Sequence, residues 1–445
     1  MSVAAAIPQA GGAMPVLGHS LRLLRDPLGF VASLPAQGDL VRMRFGPVAV
    51  VLVCDPELTR QILVNDRTFD KGGPVIHRAR EITGDGLGTC PHAVHRRQRR
   101  LCQPAFHRDR LPGYADAMAA LWNGATASWR DGQEIDVVNE LTGLVLRVAV
   151  ETMFSTRLPP EAAERIVADF QLLTAAVFRR MVTPAALTRL PTPGNRRYAR
   201  ARARLRSEVR TIIADRRAEG ADRGDLLSSL LGAQDPESAA DGRILSDWEL
   251  AQQVVTFLSA GTDTTASTLS WALHLLQQHP EVARRLRAEA DEVLAGGPVD
   301  AAHVPELGLA ARVVNETLRL YPPGWLSTRL VTRETVLGGV PLAAGTTVAW
   351  SPYLIHRRPE LFERPERFDP DRWRESTPGR DAFIPFGGGA RKCIADRFAV
   401  THTVIALAAI VSRWTFEPAP GPPVRPVVRA VLSPVDLRLR VAARS

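Results

Sequence analysis

The sequence predicts a mainly α protein with small β-sheets, folded as a single domain over residues 1–445. Three observations carry that class. Helical periodicity dominates from about residue 93 to 320. Strand signals are confined to two short patches, 40–53 and about 328–350. No stretch reads as a linker between domains, and the 45% of apolar residues is ample for one sizeable core.

The elements follow in chain order. Residues 40–53, "LVRMRFGPVAVVLV", read as two short strands around Gly46-Pro47. "DPELTRQIL" opens a helix with Asp55 as cap and Pro56 at its first position. The run "RRYARARARLRSEVR" (196–210) reads as the exposed face of a helix entered after "PTPG". The polar stretch 232–243, "GAQDPESAADGR", joins two helices. The longest helix starts at Ser246, where "SDWE" has the capping-box spacing, and runs to His279 before Pro280. About 33 residues at 1.5 Å each span about 50 Å, enough to cross a domain. Its middle, "AGTDTT", places Gly261, Thr262, Asp263, Thr264 and Thr265 in apolar surroundings, a pattern that predicts a kink or widening. Turn signals at "GGVPLAAG" divide the second strand patch, and a last helix runs from Asp396 to Arg413.

Composition excludes several classes. The net charge is +9, yet the only lysines are Lys71 and Lys392, so arginine carries the excess. A uniform arginine bias argues against a dedicated nucleic-acid surface, although a basic nucleic-acid-binding or haem-sensing protein is the reading from a different class. Cys54, Cys90, Cys102 and Cys393 form no CxxC pair, and free thiols fit a reducing cytoplasm. The first twenty residues lack a basic leader and a long apolar run, so neither a signal peptide nor a membrane anchor is expected.

Four constellations could carry chemistry. Cys393 in "FIPFGGGARKCIA" follows three glycines and lies among Arg391 and Lys392. It reads either as a buried thiol in a turn or as a thiolate metal ligand favoured by positive charge and a helix start. The GxxxxGK[ST] spacing of a phosphate loop is absent. Glu316 and Arg319 in "NETLRLYPP" share a helix face among apolar neighbours, and Arg367 in "ERPERF" could join them. His95 and Arg99, four apart, share another face, and Arg329 follows "YPPGWLST". Asp263 beside Thr264 is an acid next to an alcohol within a helix.

Together these motifs resemble the cytochrome P450 family. "FIPFGGGARKCIA" is similar to its haem-binding loop F-x-x-G-x-R-x-C-x-G, with Phe386, Gly389, Arg391 and Cys393 matching and Ala395 in place of the last glycine. "ETLR" matches E-x-x-R, "PERF" its meander motif, "AGTDTT" its oxygen-activating motif, and His95/Arg99 its H-x-x-x-R form. The resemblance implies a P450 fold, with the long helix over a haem b (iron protoporphyrin IX) and the cysteine loop beneath it. It implies that Cys393 ligates iron and that the glycines let the loop lie flat against the porphyrin. His95, Arg99, Arg329 and Arg391 would hold the propionates, and Glu316, Arg319 and Arg367 would form a structural network. Gly261 would admit haem and oxygen to the backbone, Thr264 would hydrogen-bond dioxygen or water, and Asp263 would relay protons. An O2-dependent monooxygenase follows.

The resemblance also suggests a substrate pocket and partners. Ile76, Leu87, Phe178, Phe257, Trp325, Leu326, Val431 and Leu432 are its candidate lining residues, nearly all apolar, which suits a compact hydrocarbon held by shape. Likeness to actinomycete sesquiterpene oxygenases points to terpene oxidation in antibiotic biosynthesis, with fatty-acid or polyketide hydroxylation as the alternative. Electrons would come from a separate ferredoxin and ferredoxin reductase, steered by Arg96, Arg97, Arg100, Lys392 and Arg397. The enzyme is expected to be a cytoplasmic monomer without nucleic-acid partners.

Overall fold

The computed structural model describes residues 7–155, 160–183, 185–238, 243–375, 378–379 and 381–444. Strands Leu40–Phe45 and Val48–Val53 form the expected hairpin, turning at Gly46 with φ +58°. The hairpin is extended by pairings between distant parts of the chain. Val48–Val53 runs parallel to Thr347–Trp350, which pairs with Ser327–Val331, which in turn pairs with Phe69–Lys71 at the far edge. The strands alternate, so Val50 and Leu52 face one small apolar cluster while Val51 and Val53 face another. Asp55 caps helix Pro56–Val64, accepting from the Leu58 N–H at 2.8 Å.

The larger core surrounds the central helix, Asp247–Gln278. Ser246 and Glu249 close a capping box at its start. Helices Val137–Phe154, Pro193–Glu219, Gly308–Leu320 and Asp396–Val411 pack around it. From Gln252 to Leu276 every residue is buried except Ser259, Ala260, Gly261, Asp263 and Thr264. The one opening in this helix therefore coincides with the odd motif.

The helix runs unbroken through this motif. Three threonine hydroxyls turn back onto carbonyls one turn earlier, a bond that tends to bend a helix rather than break it. Thr262 donates to Leu258 O at 2.8 Å, Thr264 to Ala260 O at 2.6 Å and Thr268 to Thr264 O at 2.8 Å. The basic run lies in helix Pro193–Glu219, capped by Thr192.

Candidate active site

Cys393 sits in the turn between the 3-10 segment Gly389–Arg391 and helix Asp396–Val411. Its N–H donates to Phe386 O at 2.9 Å, which folds the loop back on itself. Gly387 and Gly389 have φ +69° and +63°, a region that favours glycine. A Cβ on Gly389 would overlap the Leu63 carbonyl at the end of helix Pro56–Val64. Packing against that helix by itself requires this glycine. Ala395 takes φ −103° and ψ 22°, which alanine adopts without strain, so the departure from the motif costs the backbone nothing.

Cys393 keeps accessible surface, unlike the other three cysteines. Burial pushes its thiol up, while the Ala395 N–H, Arg99 and Lys392 pull it down. Cys54, Cys90 and Cys102 are buried and pushed up to about 12, 11 and 12, which leaves them protonated.

Five cationic or basic groups converge beside this loop. Arg99 donates from one nitrogen to Lys392 O at 2.7 Å and Ala390 O at 3.2 Å, latching the loop to helix His92–Cys102. Arg391 is held by Asp66 at 3.0 Å, Asp70 at 2.7 Å and Cys90 O at 2.8 Å. His95 is buried, and burial with Arg391 and Arg99 pushes it down to about 3, so the imidazole is neutral. Arg329 is 2% exposed, and its Nε and one terminal nitrogen have no partner among the described residues.

Lys71 was not singled out from the sequence. It lies directly opposite Arg329 in the antiparallel pair, so two cations share one face of the sheet. Enclosure, then Arg329 and Arg391, push it down to about 7. Two carboxylates, Asp66 and Asp70, serve this cluster, and both are taken by Arg391. The orphaned donors of Arg329 require a further anion.

Glu316 and Arg319 are both fully buried and form a bidentate pair with both contacts at 2.8 Å. Glu316 also accepts from Arg372 Nε at 3.0 Å, Trp373 Nε1 at 3.0 Å and Asp369 N at 2.9 Å. Arg319 donates to the carbonyls of His356, Pro365 and Arg367. Arg367 thus joins by its carbonyl, while its side chain is exposed; Arg372 is the second guanidinium. The loop turns Arg367 outward and Arg372 inward, which spacing alone does not reveal.

On the central helix, Asp263 keeps some surface at the opening but is largely screened from water. This desolvation pushes its carboxyl up to about 7, while a hydrogen bond with Thr174 and the charge of Arg429 pull it down. Thr174, from helix Pro160–Val182, is a partner the sequence did not disclose. A Cβ on Gly261 would meet Met153 Cε at an ordinary 3.6 Å, so protein packing does not demand this glycine.

The lining candidates divide. Leu326 and Val431 keep surface. Ile76, Leu87, Phe257, Trp325 and Leu432 are core: Leu432 is 0% exposed, and Phe257 packs on Phe106 at 5.2 Å. These five serve the core packing in this structure, and Leu326 and Val431 offer the larger accessible surface. Phe178 lies outside the residues whose side chains the structure describes.

Acidic partners meet several of the expected donor-steering charges, while Arg96 and Arg397 stay exposed. Arg97 pairs with Glu249 at 2.6 Å, and Arg100 with Asp235 at 2.8 Å and Glu237 at 2.9 Å. Lys392 pairs with Asp396. The acidic 235–237 turn and the capping glutamate fold over the helix and neutralise Arg97 and Arg100.

An orphaned arginine needs an anion, and a thiol with free surface can take a metal. Haem offers both, an iron and two carboxylates, so the residues present fit a haem-thiolate protein. The Cytochrome P450 family profile matches residues 8–438, and the chain belongs to that family of haem b enzymes. It is a monooxygenase by that membership. It is 46% identical to the pentalenene oxygenase of Streptomyces avermitilis over 98% of this chain and 97% of that protein. It is 46% identical to the cyclooctat-9-en-7-ol 5-monooxygenase of Streptomyces melanosporofaciens, over 93% and 90%. It is 45% identical to that organism's cyclooctatin synthase, over 97% and 94%. Among the described residues, no helix is long and apolar enough to cross a membrane.

Proposed function

We propose that this enzyme hydroxylates a compact terpene hydrocarbon, with a pentalenene-like sesquiterpene first among candidates, in secondary metabolism. The observation that carries the substrate class is the near-full-length identity to three terpene-pathway oxygenases. The balance is R–H + O2 + 2 e⁻ + 2 H⁺ → R–OH + H2O, with the electrons drawn from a ferredoxin and its reductase. Bound haem supplies the iron at which O2 is reduced, and thiolate donation favours O–O cleavage.

The chain's own residues supply position and protons. Cys393 gives the thiolate, and Arg99 fixes the loop that carries it. Arg329, Lys71, Arg391 and His95 form the cradle for two propionates, with Arg329's free donors the strongest support. Because Thr264 donates its own proton to Ala260 O, its hydroxyl oxygen remains an acceptor that can hold a proton donor in the site. Asp263, poised near neutrality, can release a proton and regain one.

The test is optical. Titrating purified holoenzyme with sesquiterpene hydrocarbons should convert low-spin to high-spin haem at micromolar concentrations, while fatty acids and macrolides should not. A spin shift given only by fatty acids would reassign the substrate. Cys393→Ser should abolish the red-shifted reduced-CO band in the same preparation.

A further inference from the structure

From Phe170 to Ser207 the chain has nine arginines and no aspartate or glutamate. Four of the nine are used internally. Arg180 pairs with Glu81 and lies 4.2 Å over the Tyr198 ring, and Arg204 pairs with Asp169. Arg202 and Arg206 donate to Glu81 O. Arg179, Arg189, Arg196, Arg197 and Arg200 are exposed, with no ion pair or side-chain hydrogen bond to any described residue.

These free cations are grouped. Arg196 and Arg200, four residues apart, line one open hollow with Arg197, Pro193 and the Asp169-paired Arg204. Arg196 also borders a second hollow with Arg189, Leu190 and Pro191. Arg197 borders a third with Arg179 and Leu187. Two large apolar side chains stand at this junction in water: Leu187 is 53% exposed and Leu190 49%. Both belong to the short helix Ala185–Arg189 and the turn that leads into the basic helix.

We propose that this face is a peripheral docking surface for an anionic lipid bilayer. Charge complementarity selects an anionic partner, since unpaired guanidiniums bind phosphate bidentately. The leucines select a bilayer over a soluble polyanion. A nucleic acid or an acidic protein would satisfy the arginines and leave Leu187 and Leu190 wet, whereas a headgroup layer takes both. The arginine stems would lie along the apolar boundary with their heads at the phosphates, and the leucines would enter it. The inference stands on these residues alone and does not rest on the terpene reading.

Co-sedimentation of the holoenzyme with vesicles tests it. Binding is expected to phosphatidylglycerol–phosphatidylcholine vesicles and not to phosphatidylcholine alone. The triple variant Arg196→Glu/Arg197→Glu/Arg200→Glu should bind anionic vesicles at least about 100-fold more weakly, each basic residue near the surface being worth roughly fivefold. Leu187→Ser/Leu190→Ser should lose about tenfold or more. Both variants should keep the reduced-CO spectrum of the parent, which separates lost docking from lost folding. Unchanged vesicle binding by either variant overturns the proposal, as does equal binding to phosphatidylcholine. Failure of the parent to bind vesicles, with tight binding to a DNA fragment that the triple variant loses, would reassign the face to nucleic acid.

Discussion

Asp263 and Thr264 do different work although they are neighbours. The Thr264 hydroxyl is committed as a donor to Ala260 O, so its contribution is an acceptor lone pair. Asp263 is held by burial near pH 7. Its folded value lies above the unfolded one, so the fold prefers the protonated acid. The group takes stability away as pH rises from about 4 to about 7. Above pH 7 the carboxylate can no longer donate. Coupled product formation is therefore expected to fall through pH 7 in the parent. Asp263→Asn should flatten that step and slow turnover, and Thr264→Ala should divert reducing equivalents to peroxide at every pH. Product and peroxide yields per NAD(P)H consumed measure both. The buried Glu316 site gives a sharper contrast. Arg372→Ala removes a charged donor to a fully buried carboxylate and should cost about 1.5–3 kcal/mol. Arg367→Ala removes an exposed side chain and leaves the carbonyl that matters, so its change should stay within about 0.5 kcal/mol. Urea denaturation of the two variants measures the difference.

Elements whose signals are local were legible in the sequence. The Ser246 capping box, the Asp55 cap and the Gly46 hairpin lie where their residues place them. Pairings between distant segments were not. Nothing near Val48–Val53 indicates that its other neighbour is Thr347–Trp350. The three-stranded sheet of Glu134–Asp136, Arg438–Ala443 and Trp414–Pro418 was missed for the same reason. The motif residues around Cys393 were legible, but not what surrounds them. Lys71 and Asp70 come from the edge strand and Asp66 from just before it, a strand that the register alone brings under Arg329. Gly389 shows how one element constrains another. Its Cβ would strike the Leu63 carbonyl of helix Pro56–Val64, and its φ is positive. Gly389→Ala should therefore destabilise the holoenzyme by about 1–3 kcal/mol and speed haem loss. Gly388→Ala would meet Leu63 side-chain carbons at 3.3 Å and should be milder. Haem transfer to apomyoglobin reports the rates.

At the scale of the whole molecule, acid is the condition to which this fold is sensitive. His356 and His402 are fully or nearly fully buried, and burial pushes both down to about 3. His356 accepts from the Ile384 N–H at 2.9 Å, and His402 from the Trp122 indole at 2.9 Å, so both must be neutral at Nε2. Their folded values lie below the unfolded one. Stability is thus present above about pH 6.5 and is lost as pH falls toward 3. The two extra protons these histidines bind on the unfolded chain give a slope of about 2.7 kcal/mol per pH unit near pH 5, which the equally depressed His95 steepens and Asp263 partly offsets. Denaturation midpoints measured from pH 7 to pH 4 should fall steadily, and His402→Gln should make the fall shallower.

The near-absence of lysine has a practical corollary in bioconjugation. Lys71 lies on the sheet edge in the cradle proposed for the propionates, whereas the Lys392 ammonium stands half exposed beside Cys393. Amine-reactive reagents should therefore find a single internal handle, in addition to the chain's amino terminus. An enzyme immobilised through that handle would be oriented with its cysteine loop against the support. Comparing reduction of the immobilised enzyme by a protein donor with its reduction in solution would then report whether that face admits the donor.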